Sequence, residues 1–469
     1  MTGKLIILAG MTALSACTME PKYIRPTPAT PASWPTGDAY LPQNDAALPG
    51  IAYGQIFRDP KLQVIIARAL VNNQDIRLAL ANVVTARGQL RVQRAQLLPQ
   101  VDAAASSSFR DSNGTTSGAG TSGSGSTGES YSADVGLSSF EIDLFGRLRS
   151  LSNASFQEYL GTEAAARAAR LSLIAEVANA YLTLATDRSL LAIASDTEKS
   201  AGRSVELTAA RLSGGVAPRT DLRQAQTIEA QARADRADLT TLVAQDRNAL
   251  ELLVGASVAD ADLPQSIESV DESLGEVPAG LDSRILLRRP DVMQAEHQLR
   301  AANARIGAAR AAFFPTISLT ALAGYASTAL SSLFTGGAFT WSVAPQVSVP
   351  LFDGGANAGN LRAVKGQRDA ALATYQKSIQ TAFREVSDAL AQRGTISAKL
   401  KAQTDLDEAA HDSYTLSEAR YREGVDSFLS SLDAQRTYYS ARRSLVSARL
   451  VRASNLVELY RTLGGDTTI

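Results

Sequence analysis

The side chains able to do chemistry are few and lie far apart. Cys17 closes the stretch Leu14-Ser15-Ala16-Cys17 and is the single cysteine of the chain. Lys4 and the short apolar run Leu5 to Ala9 precede it, too short to span a bilayer. That is the pattern of a bacterial lipobox, in which the thiol is acylated and becomes the mature N-terminus; an ordinary signal peptide with an incidental cysteine is the alternative. Asp221 and Asp433 each follow a glycine turn, in SGGVAPRTD and REGVDSFLSSLD. On sequence grounds alone Asp433 makes an i, i+3 surface pair with Arg436, and Asp221 is solvated beside Arg219 and Arg223. His297 and His411, the two histidines, sit in helical repeats, where a satisfied or solvated ring is the ordinary state and a proton relay the rare one. There is no nucleophile–base pair, phosphate loop or ligand cluster, so neither an enzyme nor a metal or cofactor site is expected.

Composition narrows the class. The chain has 469 residues, a net charge of −1 and no basic cluster, which argues against a nucleic-acid partner. Two His, one Cys and four Met leave little material for metal binding. A mature chain with one cysteine has no internal disulfide, although an exported compartment would permit them.

The elements that must position the two aspartates come from a duplication. Residues 75–104 and 291–320 follow one plan: Asp75 matches Asp291, Ala86 matches Ala302, Arg94 matches Arg310 and Pro99 matches Pro315, each 216 residues on. Each copy is a helix-period segment that stops at a proline and turns into a strand-like segment, because proline cannot continue the helix and biases its predecessor toward extended geometry. Downstream, Leu144-Phe145-Gly146 matches Leu351-Phe352 before Asp353-Gly354-Gly355. Arg211…Gly215-Val216 matches Arg420…Gly424-Val425, now 209 residues on, and Gly255 matches Gly464. Two similar halves follow from such a repeat.

Taken in order, residues 1–16 read as a signal peptide and 17–59 as a lipidated, Pro/Thr/Ala-rich tether. The first repeat is 60–255, with strands at about 100–110 and 130–142 around a Gly/Ser/Thr loop. An irregular connecting segment covers 256–288; the second repeat is 289–465, with strands at about 316–327 and 338–351, and 466–469 is a tail. The strands alternate in polarity and match the length of tilted membrane-spanning β-strands, with Phe109, Tyr131, Tyr325, Phe339 and Trp341 near their ends as an interfacial girdle would place them. A soluble hairpin reads the same strands equally well. Two Pro-free segments, 148–212 and 358–422, form helices of about 95 Å, a length that coiled-coil or helical-barrel packing needs and a globular core does not. The short helix before each strand pair and the return helix after each Gly turn together match the long helix, so the two short ones stack end to end beside it.

FEIDLFGRLR (Phe140 to Arg149), LLRRPDV (Leu286 to Val292), AFFP, PLFDGG (Pro350 to Gly355) and the terminal LYRTLGG (Leu459 to Gly465) resemble the TolC/OprM family of outer-membrane efflux channels, lipoprotein branch. The resemblance covers nearly all of the mature chain. It implies a mainly α chain with a membrane β-barrel: a homotrimer whose four strands per protomer close a 12-stranded barrel on a periplasmic α-helical barrel, inserted in outer-membrane lipid. It implies a passive duct for drugs and toxic small molecules, engaged by a periplasmic adaptor and an inner-membrane RND-type transporter. It further implies a periplasmic gate: Asp433 matches a ring of carboxylates at the aperture, and Tyr421, Arg436 and Asp221 match latches between hairpins. Ser430 stands where some members carry a second aspartate, which leaves a double ring in doubt. Gly214, Gly215, Val216, Gly424 and Val425 are the implied adaptor-contact tips, and are equally plain helix C-caps.

Two rivals share features with this reading. A type I protein-secretion duct has the same fold, and the lipobox argues against it. A periplasmic adaptor has one helical hairpin and compact β domains, where this chain has two hairpin sets and two strand pairs. Cys17→Ser is expected to abolish acylation, checked by mass spectrometry of the mature chain; acyl groups on that variant refute the lipobox.

Overall fold

The computed structural model describes residues 18–27, 30–31, 33–41, 53–112, 126–275 and 283–465. The expected signal peptide, the acylated Cys17, the Gly/Ser/Thr loop at 113–125 and the tail at 466–469 lie outside the described residues. Each half runs helix, strand, strand, long helix, return helix. The first half is α3 (Gln74–Ala95), β1 (Val101–Ser112), β2 (Ser126–Glu141), α4 (Arg147–Ser213) and α5 (Arg219–Val254). Its entry helices are α1 (Tyr53–Ile56) and α2 (Pro60–Asn72). The short α6 (Ile267–Asp271) lies between the halves. The second half is α7 (Pro290–Ala311), β3 (Thr316–Ser327), β4 (Phe339–Ser348), α8 (Ala356–Arg422) and α9 (Phe428–Thr462). Both α4 and α8 have 67 residues, about 100 Å of helix at 1.5 Å per residue. Among the described residues no helix is long and apolar enough to cross a membrane.

The chain divides into two compact units. One takes residues up to 27, 83–162 and 295–375 and holds the sheet. Its strands are antiparallel in the order β1-β2-β3-β4, so the central pairing, β2 with β3, joins the two halves. The register puts side chains of like polarity on one face. Val101 faces Leu137, Leu137 faces Ala321 and Ala321 faces Val343; one step along, Ala103, Val135, Ala323 and Trp341 align in the same way. The opposite face carries Ser106 against Ser132 and Ser108 against Ser130, hydroxyl to hydroxyl at 2.9 and 2.8 Å. Among the described residues nothing covers the apolar face: every residue of β4 is exposed, Trp341 by 72 %. Phe109 packs edge-on against Tyr131, and Tyr325 against Phe339, forming an aromatic row across the strands. Gly324 lies so close to β2 that a Cβ there would sit 2.3 Å from the Ala133 carbonyl.

The same unit holds an extended N-terminal strap. Asn303 of α7 donates to the Pro21 carbonyl, Arg310 to that of Met19, and Arg25 forks onto Glu296 at 2.9 and 2.8 Å. Arg300 also pairs with Glu296 and lies 4.8 Å over the Tyr23 ring. These α7 residues, Glu296, Arg300, Asn303 and Arg310, follow at steps of four, three and seven, one face of a helix.

The other unit takes residues 28–82, 163–294 and 376–469 and carries most of the large buried side chains. α2 starts at Asp59, whose carboxylate accepts from the Lys61 N–H, with Pro60 at the first helical position. It buries Leu62, Ile65, Ile66 and Ala69. Phe57 meets Tyr460 edge-on at 5.6 Å, and Trp34 stacks on Phe383 at 5.0 Å. Tyr181 of α4 donates to Asp59 at 2.8 Å.

The duplication reappears here as a duplicated joint. Asn73 caps α3 by accepting from the Asp75 and Ile76 amides, and donates to the Leu253 carbonyl near the end of α5. Its counterpart Arg289 donates to the equivalent Thr462 carbonyl of α9 at 3.0 Å. Gly255 ends α5 at φ +70°, where a Cβ would sit 2.7 Å from the Asn72 carbonyl. Each return helix therefore ends against the start of its half's first helix. Arg289 is 4 % exposed as a side chain and is held by Asp291 and Glu385 at 2.7 and 2.9 Å, which offsets the cost of burying its charge.

One half-buried pair of acids lacks such compensation. Asp187 of α4 and Asp246 of α5 are both acids, and the Asp187 charge is close enough to act on Asp246. Burial first, then the Asp187 charge, pushes Asp246 up to about 6, and its Oδ2 is buried without a partner. Since the folded value lies above the unfolded one, the pair's stabilisation is complete below about pH 4 and is lost as the pH rises through about 6. Asp246→Asn is expected to raise the melting temperature at pH 8 by about 2 °C and to leave it unchanged at pH 4. A variant that melts lower at pH 8 overturns this account.

Candidate gate at the helical-hairpin tips

Two turns end the long helices in the same way. α4 closes with Gly215 at φ +72°, its N–H bonding to Leu212 while Val216 N–H reaches back to the Arg211 carbonyl at 2.9 Å. α8 closes with Gly424 at φ +75°, with Gly424 N–H on Tyr421 and Val425 N–H on Arg420 at 2.8 Å. Both are left-handed glycine caps of the Schellman type, which satisfy carbonyls the helix leaves open and turn the chain sharply. The return helices start differently. Ser427 caps α9 through the Ser430 N–H, whereas Pro218 before α5 has no side-chain cap.

The four helix ends share one small core. Ala225, Tyr421, Phe428 and Leu432 are buried together, with Val205, Leu207 and Ile228 packed against them. The Tyr421 and Phe428 rings are 5.3 Å apart. Below the glycines, Gln435 of α9 donates to Ser200 of α4 at 2.8 Å. Beyond the core the turns are bare: Val216 is 76 % exposed and Val425 63 %.

The residues expected at the gate fall into two groups. Tyr421 is buried, and among the described residues its hydroxyl has no hydrogen-bond partner. Burial pushes that hydroxyl up, the charge of nearby Asp221 adds to the rise, and Arg211 opposes it. Asp221 is half-buried at the start of α5. Asp433 and Arg436 are exposed on α9 and, among the described residues, form no ion pair with each other. The i, i+3 pair that their spacing suggests is not made. Gly214, Gly215, Val216, Gly424 and Val425 are all exposed at the turns.

Two charged groups at the tips carry contacts that motif reading passed over. Arg420 forks onto Asp426 at 2.6 and 3.1 Å, holding that carboxyl below its ordinary range. Arg211 lies over the Tyr421 ring with its guanidinium carbon 4.3 Å from the centroid, and its Nη2 donates to the carbonyls of Tyr421 and Arg422, both at 2.9 Å. The signal for Arg211 was available in the repeat, where it matches Arg420 but has no matching acid.

Comparison with known proteins agrees with this architecture. The outer membrane efflux protein family matches residues 65–256 and 281–465. The toluene efflux pump outer membrane protein TtgC of Pseudomonas putida is 45% identical, the match covering 99% of this chain and 96% of that protein. Outer membrane protein OprJ of Pseudomonas aeruginosa is 39% identical over 96% of this chain and 93% of its own length. The crystal structure of the open state of the MtrE outer membrane channel of Neisseria gonorrhoeae superposes with a TM-score of 0.84 at 36% identity, covering 97% of this chain and 100% of that one.

With so small a core, the tip depends on each aromatic in it. Tyr421→Ala is expected to cost about 3 kcal/mol locally and to speed hydrogen exchange at the tip amides while leaving the sheet amides unchanged. Unaltered tip exchange would remove Tyr421 from the cluster's support.

Proposed function

The chain belongs to the outer membrane efflux protein family, and from that premise we propose that three copies form a passive duct across the outer membrane. The chain is the outer-membrane channel of an efflux pump. The observation that carries the trimer is the sheet. Among the described residues its β1 and β4 edges are unpaired, and one face is apolar and bare. In lipid, backbone groups on an open edge have no water to bond, so the edges must meet those of other copies. Four strands from each of three copies give a closed 12-stranded wall, apolar side to lipid and serine-lined side to the lumen.

The cargo is drugs and other toxic small molecules, apolar solvents among them, delivered by an inner-membrane transporter through a periplasmic adaptor that docks at the exposed turns. The toluene pump component at 45% identity supports that class of cargo. Cys17 carries the lipid anchor.

The hairpin tips are the gate. Asp433 is exposed and unpaired; repeated by threefold symmetry it supplies three carboxylates to a narrow neck, attracting cations and repelling anions. Tyr421, Asp221 and Arg436 hold the closed arrangement. Contacts of exposed charged groups such as Asp433 and Arg436 are worth about 0–1 kcal/mol each, so a ring of them sums to an amount that adaptor docking can overcome.

Asp433→Ala combined with Tyr421→Phe and Arg436→Ala is expected to raise single-channel conductance in planar bilayers and to admit vancomycin-sized solutes to cells. Conductance equal to the parent's would take these residues out of the gate.

A further inference from the structure

The two turns are copies, yet their arginines do different work. Arg211 and Arg420 each stand four residues before the glycine that ends their long helix. Arg420 is spent inside its own turn, on Asp426, two residues past Gly424. The first turn has Ala217 two residues past Gly215. No carboxylate waits there, and among the described residues Arg211 forms no ion pair. Its guanidinium crosses to the other hairpin instead, stacking on Tyr421 and donating to the Tyr421 and Arg422 carbonyls.

That destination fits the group in three ways. The last carbonyls of a helix lack intrahelical donors, and the Arg422 carbonyl is one of them. The C-terminal end of α8 carries partial negative charge that favours a cation. The Tyr421 face is a π surface on which a planar guanidinium stacks while still using its edge donors, which an ammonium cannot do. Tyr421 is in turn buried against Phe428 and Ala225, so the arginine grips a residue that both hairpins share.

We infer that Arg211 is the staple that fastens the tip of the first hairpin to the end of α8, and that it is free to do so because residue 217 is not acidic. The second turn displays the released state of the same device: an arginine captured by a carboxylate two residues past the glycine. A carboxylate delivered beside Ala217, from a substitution or from a partner's acidic side chain, therefore draws Arg211 off Tyr421 and frees the tip. Arg211 is a positioning residue. It acts on the aperture through Tyr421, so the inference rests on the tips being the gate.

The test uses the full-length channel in planar bilayers. Arg211→Ala and Ala217→Asp are each expected to raise occupancy of the open conductance level about tenfold, with Arg211→Lys in between. The double variant Arg211→Ala with Ala217→Asp is expected to open no further than either alone, because both remove one interaction. Trimer melting temperature, recorded in parallel, is expected to stay at the parent's value. A merely structural arginine would lower it without changing conductance and would ignore an acid at 217. If the Asp433/Tyr421/Arg436 variant opens while Ala217→Asp stays as closed as the parent, the staple is refuted and the gate stands. If Arg211→Ala and Ala217→Asp open the channel and that triple variant does not, Arg211 holds the tips and the four-residue gate is refuted.

Discussion

An unpaired backbone edge in hydrocarbon is the interaction this chain cannot satisfy alone. Hydrogen-bonding groups in lipid have no solvent to fall back on, so a spanning sheet must close. Four strands cannot close by themselves; a barrel of side-chain-filled size already takes about eight. The described residues form four strands, with β1 and β4 open and an apolar face bare. Much else follows. The small Ala-rich helix faces and the scattered exposed valines and leucines of α3, Val84 and Val92 among them, make sense as surfaces completed by other copies.

Duplication supplies the geometry and divergence supplies the function. The joint between return helix and first helix is kept in both halves but built with different chemistry, Asn73 in one and buried Arg289 in the other. The asparagine needs no counter-charge. The arginine brings in Asp291 and Glu385, and through Glu385 reaches Arg461. A similar split separates α7 from α3. Glu296, Arg300, Asn303 and Arg310 hold the N-terminal strap, while the residues 216 positions earlier are Leu80, Val84, Arg87 and Arg94. One copy of the helix is a docking strip for the strap, and the other has leucine and valine where that strip has its Glu296 and Arg300.

The architecture was legible because it is written in periodicity and punctuation. Pro99 and Pro315 mark where helix becomes strand, the strands alternate, and 67-residue helices show as long runs without proline. The helix–strand–strand–long helix–helix order read from that repeat is the order the chain adopts. Contacts across hundreds of residues were not legible. Tyr23 and Arg25 look like tether residues in sequence, and only the fold sets them against Glu296. Asp187 and Asp246 each look like a solvated helix acid, yet the fold half-buries both and brings the Asp187 charge to bear on Asp246. At the tips, spacing suggested Asp433 with Arg436, but both point to solvent and the connecting arginine is Arg211. Helical spacing reports which residues could meet on one helix; it is silent on a side chain long enough to reach another.

On the reading proposed above, the gate is the least stable part of a rigid conduit, and the distribution of buried side chains supports placing it at the tips. The largest fully buried residues, Tyr181, Tyr375, Tyr460 and Phe57 among them, are all remote in sequence from the two glycine turns. The apolar cluster at the tips has four buried residues and a few partly buried ones. Elements with few buried apolar contacts open at a small fraction of the global free energy. Long helices transmit that local freedom cheaply, since bending them slightly costs little while breaking their hydrogen bonds costs much. A tip held by one small cluster and a handful of polar contacts can thus change state without disturbing the joints at Asn73 and Arg289. Strengthening that cluster with a larger core would give a more stable protein and a channel that adaptor contacts of a few kcal/mol could no longer open.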